Sequence, residues 1–231
     1  MPVLTILTQA ASLTDQAVEA LRTDILACRL RPGASISETG LAARFGLGRA
    51  PVRAALARLA EEGLVQAVPR RGWVVSLVTV RDIHEVFDLR LLLEPEAARR
   101  AASAGGTASL ARLDAICRQG HRPEDPDSAL AFLAANRDFH AAVAELAGNA
   151  RLARQIARLL DEATRMLVLG LSRRDRSGEM AHEHASLIAA LAAGDGAGAA
   201  ALMAEQVAAS RAMVLAALTG PLSCLVVSEV A

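Results

Sequence analysis

Apolar residues recur at helical spacing through most of the chain. Val18, Leu21, Ile25 and Leu26 form one stripe, with Thr14 placed to cap the helix that carries it. Arg31, Pro32 and Gly33 then force a turn. Leu41, Ala42 and Phe45 are the inner face of a second, short helix. Ser37 stands at its cap, Glu38 suits its positive end, and Gly46 and Gly48 end it. Pro51 falls in the first turn of a third helix, where a missing N–H costs little, and Val52, Leu56 and Leu59 face inward. After Glu61, Glu62 and Gly63 the period changes. Leu64–Val68 and Trp73–Val75 are β-rich runs about a turn of Pro69, Arg70, Arg71 and Gly72. The link 77–81, LVTVR, has β-branched residues that could extend the second strand.

From residue 80 the pattern is helical almost throughout. It predicts helices near 80–103, 107–119, 127–147, 149–171, 177–194 and 196–219, broken by glycines and short polar stretches. Short breaks between six helices predict an antiparallel bundle. The fold class read from the pattern is mainly α. A winged helix-turn-helix, three helices plus a small β-hairpin, occupies 12–76, and an all-α antiparallel bundle occupies 82–219. Residues 221–231 form a short tail with an apolar patch.

Composition changes this picture little. Of 231 residues, 53% are hydrophobic and only 2% aromatic, with no Tyr, and Ala and Leu favour helices. No apolar run of about 18 residues is expected to span a membrane, and Met1–Ala11 is not expected to be a leader. A cytoplasmic chain with no membrane partner is expected. Cys28, Cys117 and Cys224 are far apart and odd in number, and are expected to be reduced packing residues. Net charge is zero, yet residues 12–76 carry nine Arg against six acids, and the remainder sixteen against nineteen.

The third helix carries the first chemistry. Arg49 and Arg53, four apart, share a face with the small Ala50 and Ala54 beside them. Such a face can enter a DNA major groove about 12 Å wide, where arginine reads guanine edges. Gly48 leaves the N–H groups of the helix start open to phosphate. Arg70 and Arg71 project from the turn of the wing, and Gly72 permits its close approach to a backbone.

The stretch SETGLAARFGLGRAPVRAALARLAEEGLVQAVPRRGWVV resembles the winged helix-turn-helix of GntR-family bacterial transcription regulators. EVFDLRLLLEPEAARRAA, NRDFHAAVAELAGNARL and EHASLIAALAAGD resemble the FCD ligand-sensing domain of the FadR-type branch. The resemblance spans roughly 12–219. It implies DNA-reading roles for Arg49 and Arg53, a wing tip at Arg71 and Gly72, and a DNA contact at Thr39. Two residues depart from the family: Gly48 replaces a capping Ser or Thr, and Ala50 replaces a Thr that contacts the DNA backbone.

In the resembled sensing domain, an Asp and a His at i, i+4 join two later His residues around a metal ion. The matching positions are Asn136, His140, His184 and Gln206, so two of the four have become amides. An amide oxygen is a neutral, weak donor. The preferred expectation is a polar interior in which these four residues and Arg90 bind a small carboxylate effector directly. Held against it is a divalent Zn, Ni or Mn ion on His140, His184 and Asn136. Arg90 is expected either to fork onto the effector carboxylate or to pair at the surface with Glu94. Arg165 is a weaker candidate, and His84 and His121 are expected at the surface or in loops.

The resemblance implies a homodimer on a pseudo-palindromic double-stranded operator, regulated by a small organic acid and acting as a repressor. Two other classes stay open. A metal-dependent enzyme rests on His140 and His184 alone, with no nucleophile–base pair, phosphate loop or paired carboxylates beside them. A protein-interaction module without DNA binding rests on Gly48 and Ala50.

Overall fold

The computed structural model describes residues 12–70, 72–105, 107–122 and 125–219. These separate into two compact units, the main division falling between Leu77 and Val78. Arg71, Cys224 and the tail at 221–231 lie outside the described residues.

The first unit runs α1 (Leu13–Leu26), β1 (Ser35–Ile36), α2 (Glu38–Phe45), α3 (Arg49–Glu61), β2 (Val65–Val68) and β3 (Gly72–Val75). Its core gathers Ala17, Val18, Leu21 and Ile25 from α1, Leu41 and Ala42 from α2, and Val52, Ala55, Leu56 and Leu59 from α3, closed by Ile36, Val65 and Val75 of the sheet. Phe45 is only half-buried and packs at the margin of this core, with the Arg44 guanidinium 5.7 Å from its ring centre.

Three details differ from the sequence expectation. The start of α1 is held by Ser12, whose hydroxyl accepts from the Asp15 amide at 3.1 Å while the Asp15 carboxylate reaches back, so Thr14 lies within the helix. The expected hairpin is the larger part of a three-stranded antiparallel sheet ordered β1-β3-β2, with Ile36 opposite Trp73 and Val68 opposite Gly72. A two-residue strand is too short to show a period. The link at 77–81 does not extend β3. The Ser76 amide donates to the Leu64 carbonyl, and Thr79 already caps the next helix.

The second unit consists of α4 (Val80–Ala101), α5 (Ala108–Cys117), α6 (Pro126–Leu146), α7 (Ala150–Leu171), α8 (Ser177–Ala192) and α9 (Gly196–Thr219). Thr79 and Asp82 form a reciprocal capping box at the start of α4. Helix α4 packs along α9 and against α6 and α7, and α5 packs on α6 and α8. The main core includes Phe87, Leu110, Phe132, Phe139, Leu187, Val207 and Val214. Gly170 lets α7 and α9 approach, since a Cβ there would stand 2.7 Å from Met213 Cε. Residues Gly196–Leu218 of α9 have the length and composition of a membrane span, with a mean hydropathy of 1.3, a pattern the sequence reading had not found. The run is nonetheless interrupted by Glu205, Gln206 and Arg211, and it packs against α4, α7 and α8 as a core helix.

Candidate nucleic-acid interface and buried polar site

Helix α3 divides cleanly into two faces. Val52, Ala55, Leu56 and Leu59 are fully buried, while the side chains of Arg49 and Arg53 are each 63% exposed. Gly48 sits at the N-cap with φ −69° and ψ 158° and supplies no side-chain bond, as expected from its lost hydroxyl. The amides of the first turn therefore have no side-chain cap. Thr39 is exposed in the first turn of α2, and Ala50 is exposed beside Arg49.

Glu38 is the residue that sequence reasoning undervalued. Arg53 Nε donates to both of its carboxylate oxygens at 3.0 Å, and Nη2 donates at 2.8 Å. Arg49 Nη2 lies 3.7 Å from the same carboxylate. These Arg53 hydrogen bonds, outweighing some burial, hold the Glu38 carboxyl below the usual carboxylate range and push the Arg53 guanidinium upward. In the sequence Glu38 shows only as a helix-start charge, because a pair fifteen residues apart leaves no periodic signal.

At the wing, Arg70 is exposed in the left-handed region at φ 62°, and Gly72 follows at φ 81°. A Cβ on Gly72 would stand 3.4 Å from the Ile36 carbonyl oxygen of β1. The third arginine of α3, Arg58, faces the other way and bonds Asp15 of α1 at 2.7 Å.

The second unit contains a buried polar site. Arg90 is 2% exposed and His184 1%, and Glu94, Asn136, His140 and Gln206 are buried with them. Arg90 Nε donates to Glu94 Oε1 at 2.5 Å, and His140 Nδ1 lies 2.7 Å from Glu94 Oε2. The Arg90–Glu94 pair exists, but in the interior, where neither group meets solvent. The Arg90 guanidinium also lies over the Phe87 ring, 4.9 Å from its centre. His184 stacks on Phe139 at 3.8 Å between ring centres, and the His140 ring is 5.6 Å away. Gln206 Nε2 donates to the carbonyl of Glu183, the neighbour of His184, at 2.8 Å. Asn136 lies one helical turn before His140 on α6, on the same face.

Electrostatics follows from this enclosure. Burial opposes ionisation of Glu94, yet the charges of Arg90 and His140 outweigh it and hold the carboxyl at about 2. Burial, helped by His140, pushes the His184 imidazole down to about 2, so it is neutral. Arg90 Nη1, Asn136 Oδ1, His184 Nδ1 and Gln206 Oε1 are enclosed and lack a hydrogen-bond partner. Each such group costs about 1–3 kcal/mol when left unmade, and native interiors hold few.

Two of the four donors at the metal positions, Asn136 and Gln206, are neutral amides, which are weak ligands for Zn, Ni or Mn. Both oxygens of Glu94 are already engaged. Asp138 is exposed and pairs with Arg137, and no group of three His, Cys, Asp or Glu converges among the described residues. Two imidazoles and two neutral amide oxygens remain, and beside them the fully buried Asp114 sets its unpartnered Oδ1 3.8 Å from His184 Nδ1.

Other expectations fall out as follows. His84 is exposed and contacts Arg211. His121 lies in the loop after α5, as expected, but its side chain is only 4% exposed, with Nε2 3.1 Å from Asp175 Oδ1. Arg165 is buried on α7, where burial works against its charge. The sequence reading missed Arg176. It is buried at the start of α8 and donates to Glu179 at 2.5 Å and to Glu183 at 2.6 Å.

Comparison with known proteins follows the same division. Residues 13–75 match the family described as bacterial regulatory proteins, gntR family, and residues 85–209 match the FCD domain. The HTH-type transcriptional repressor RspR of Escherichia coli (strain K12) is 38% identical over 103 residues, 45% of this chain. That match covers only 45% of the relative's own length. An HTH-type transcriptional regulator from an unstable DNA locus of Streptomyces ambofaciens is 31% identical over 176 residues, 76% of this chain and 73% of that one. The repressor GlaR of Escherichia coli (strain K12) is 29% identical over 191 residues, 79% of this chain and 87% of that one. Among solved structures, E. coli McbR/YncC aligns with a TM-score of 0.72 at 26% identity, covering 89% of this chain and 98% of that one.

Proposed function

The chain belongs to the GntR family of bacterial regulatory proteins and carries an FCD domain, and from that premise we propose that it is a DNA-binding transcription regulator, a repressor whose operator affinity is set by a small effector. Its relatives are transcription regulators, not enzymes. The observation that carries the reading is the pair Arg49 and Arg53. Both stand exposed on one face of α3 while the opposite face is wholly core. Two copies would place two such helices in successive major grooves of a pseudo-palindromic duplex. Arg70 and Arg71 of the wing would meet the backbone or minor groove, with Thr39 and the Gly48 helix start adding phosphate contacts.

The effector is a small organic acid held in the buried polar site of the second unit by Arg90, Asn136, His140, His184 and Gln206. It changes operator affinity only as far as it prefers one conformation of the dimer. Such a protein works in the cytoplasm, where operator and metabolite meet. Selection of duplexes from random DNA, followed by anisotropy titrations at several salt concentrations, tests the reading. Wild-type protein selects a two-fold sequence with a steep salt dependence, and Arg49→Ala with Arg53→Ala abolishes the selection. Binding that is unchanged in the double variant rejects it.

A further inference from the structure

Arg176 stands at the start of α8 with its side chain 5% exposed. Its Nε donates to Glu179 at 2.5 Å and its Nη2 to Glu183 at 2.6 Å, while Nη1 is enclosed and has no hydrogen-bond partner. An enclosed, charged N–H without an acceptor is a standing cost to the fold. Arg176 lines a cleft of about 660 Å³, together with Arg173, Arg174 and Glu179. The other side of the cleft is α9, which offers Ala209, Ala212, Met213 and Ala216. Ala212 and Ala216 are exposed one turn apart, and Met213 is buried, its methyl packed close over Gly170 of α7. Arg174 is exposed and donates to Glu179 at 2.9 Å. None of these residues is shared with the polar site around His140.

We propose that this cleft is a second ligand site, which takes a small apolar oxyanion: a carboxylate on a hydroxyl-free aliphatic or aryl body. One carboxylate oxygen accepts from Arg176 Nη1 in a charge-assisted bond. The body lies on the small side chains of α9 and on the Met213 thioether, which supply contact area and next to no hydrogen-bonding capacity. Three arginines against one glutamate among the lining residues disfavour a cation. A hydroxylated body would bury its hydroxyls against alanine without partners. A bare inorganic anion would leave the apolar wall in water. The volume is that of a small-molecule site. A ligand held there bridges the turn between α7 and α8 to the C-terminal half of α9. The inference rests neither on the interior effector site nor on DNA binding.

The test uses the full chain with isotope-labelled methionine methyls, read by NMR and calorimetry. Met213→Leu identifies the Met213 signal. The probes are benzoate, phenylacetate and hexanoate. Benzyl alcohol supplies the body without the charge, inorganic phosphate the charge without the body, and gluconate a carboxylate on a hydroxylated body. At least one apolar carboxylate shifts the Met213 signal saturably, and the three controls act at least tenfold more weakly. Ala216→Glu, a change at an exposed position, weakens the binding at least tenfold, and Arg176→Lys at least fivefold. Should Arg176→Lys fail to fold, Ala216→Glu decides. A Met213 signal that no carboxylate moves, or that benzyl alcohol moves as strongly as benzoate, overturns the proposal. Binding lost in Asn136→Ala but kept in Ala216→Glu places the probe in the interior site and overturns it as well. So does a signal that moves on dilution or in Leu225→Asp but with none of the probes, which would give the cleft to a second copy or to the chain's own 220–231 segment.

Discussion

Glu38 and Arg53 face each other across the turn between two helices, the guanidinium giving three hydrogen bonds of 2.8–3.0 Å to one carboxylate. The acid holds Arg53, on the face proposed to meet DNA, in one pose and tempers its charge. In Glu38→Gln, Arg53 is released toward phosphate. Non-specific DNA affinity should rise several-fold, the salt slope should steepen by up to about one unit per protomer, and the ratio of selected to scrambled duplex should fall. Anisotropy against both duplexes at several salt concentrations measures all three. A Glu38→Gln protein with an unchanged ratio and slope would show that the pair is ornamental.

Arg49 is less constrained than Arg53, standing 3.7 Å from Glu38. Arg49→Ala should relax selection at one base position per half-site and weaken specific binding by roughly five- to a hundredfold. Arg70→Ala should weaken both duplexes alike. Repeating the duplex selection with each variant separates base reading from backbone contact.

Gly48 has ordinary dihedrals for a side chain, and an added Cβ would meet Pro51 Cδ at 3.5 Å, an ordinary contact. Gly48→Ser should therefore restore the missing cap and stabilise the first unit by a few tenths of a kcal/mol. It should also tighten DNA binding through a new phosphate contact. Urea unfolding and anisotropy read the two effects; a loss of stability would mean the N-cap geometry is not free to accept a hydroxyl.

The Arg90–Glu94 pair is enclosed, so breaking it from one side is costly. Glu94→Ala strands the guanidinium and should cost about 3–5 kcal/mol. Replacing both partners with Met and Leu should cost much less while abolishing effector binding. Equilibrium unfolding of the two proteins, taken together, tells a stranded charge from lost packing.

His184 gives stability a definite pH dependence. Its imidazole is pushed from 6.5 down to about 2 by burial, so the unfolded chain binds the proton that the folded one refuses. Stability present above about 6.5 is lost as pH falls below it, by up to about 1.4 kcal/mol per pH unit. Glu94, lowered from 4.5 to about 2, adds a second loss that begins only below 4.5. Subtracting the profile of His184→Gln from that of the wild type should leave a slope that starts near pH 6.5. A flat difference between pH 6.5 and 4.5 would mean His184 takes up its proton without unfolding the protein.

Much of this was legible in the sequence because it is periodic. The inward faces of α1 and α3 and the six helices of the second unit follow from apolar spacing, and their ends follow from glycines and caps. Arg49 and Arg53 were legible because four residues make one helical face. What escaped is tertiary. Glu38 meets Arg53, Arg176 meets Glu183, and His121 turns inward to Asp175 through contacts that no local pattern encodes. The site around His140 was placed through family likeness and i, i+4 spacing. That Arg90 and Glu94 lie sealed inside, and that Glu94 serves two partners, required the packing of α4 against α6.

The two-residue strand β1 has a larger effect than its length suggests. It pairs with β3, the strand that leaves the wing turn, and after Ser37 the chain passes directly into α2. Strand β3 is thus flanked by strands on both sides, and the wing is tied to the helix-turn-helix within a few covalent bonds. Arg70 and Arg49 are then fixed points on one ruler rather than independent fingers. Under the proposed DNA-binding role, a half-site would have a set distance between its groove contact and its wing contact. Duplexes selected by the protein would then differ in the spacing between half-sites, not in the layout of each half.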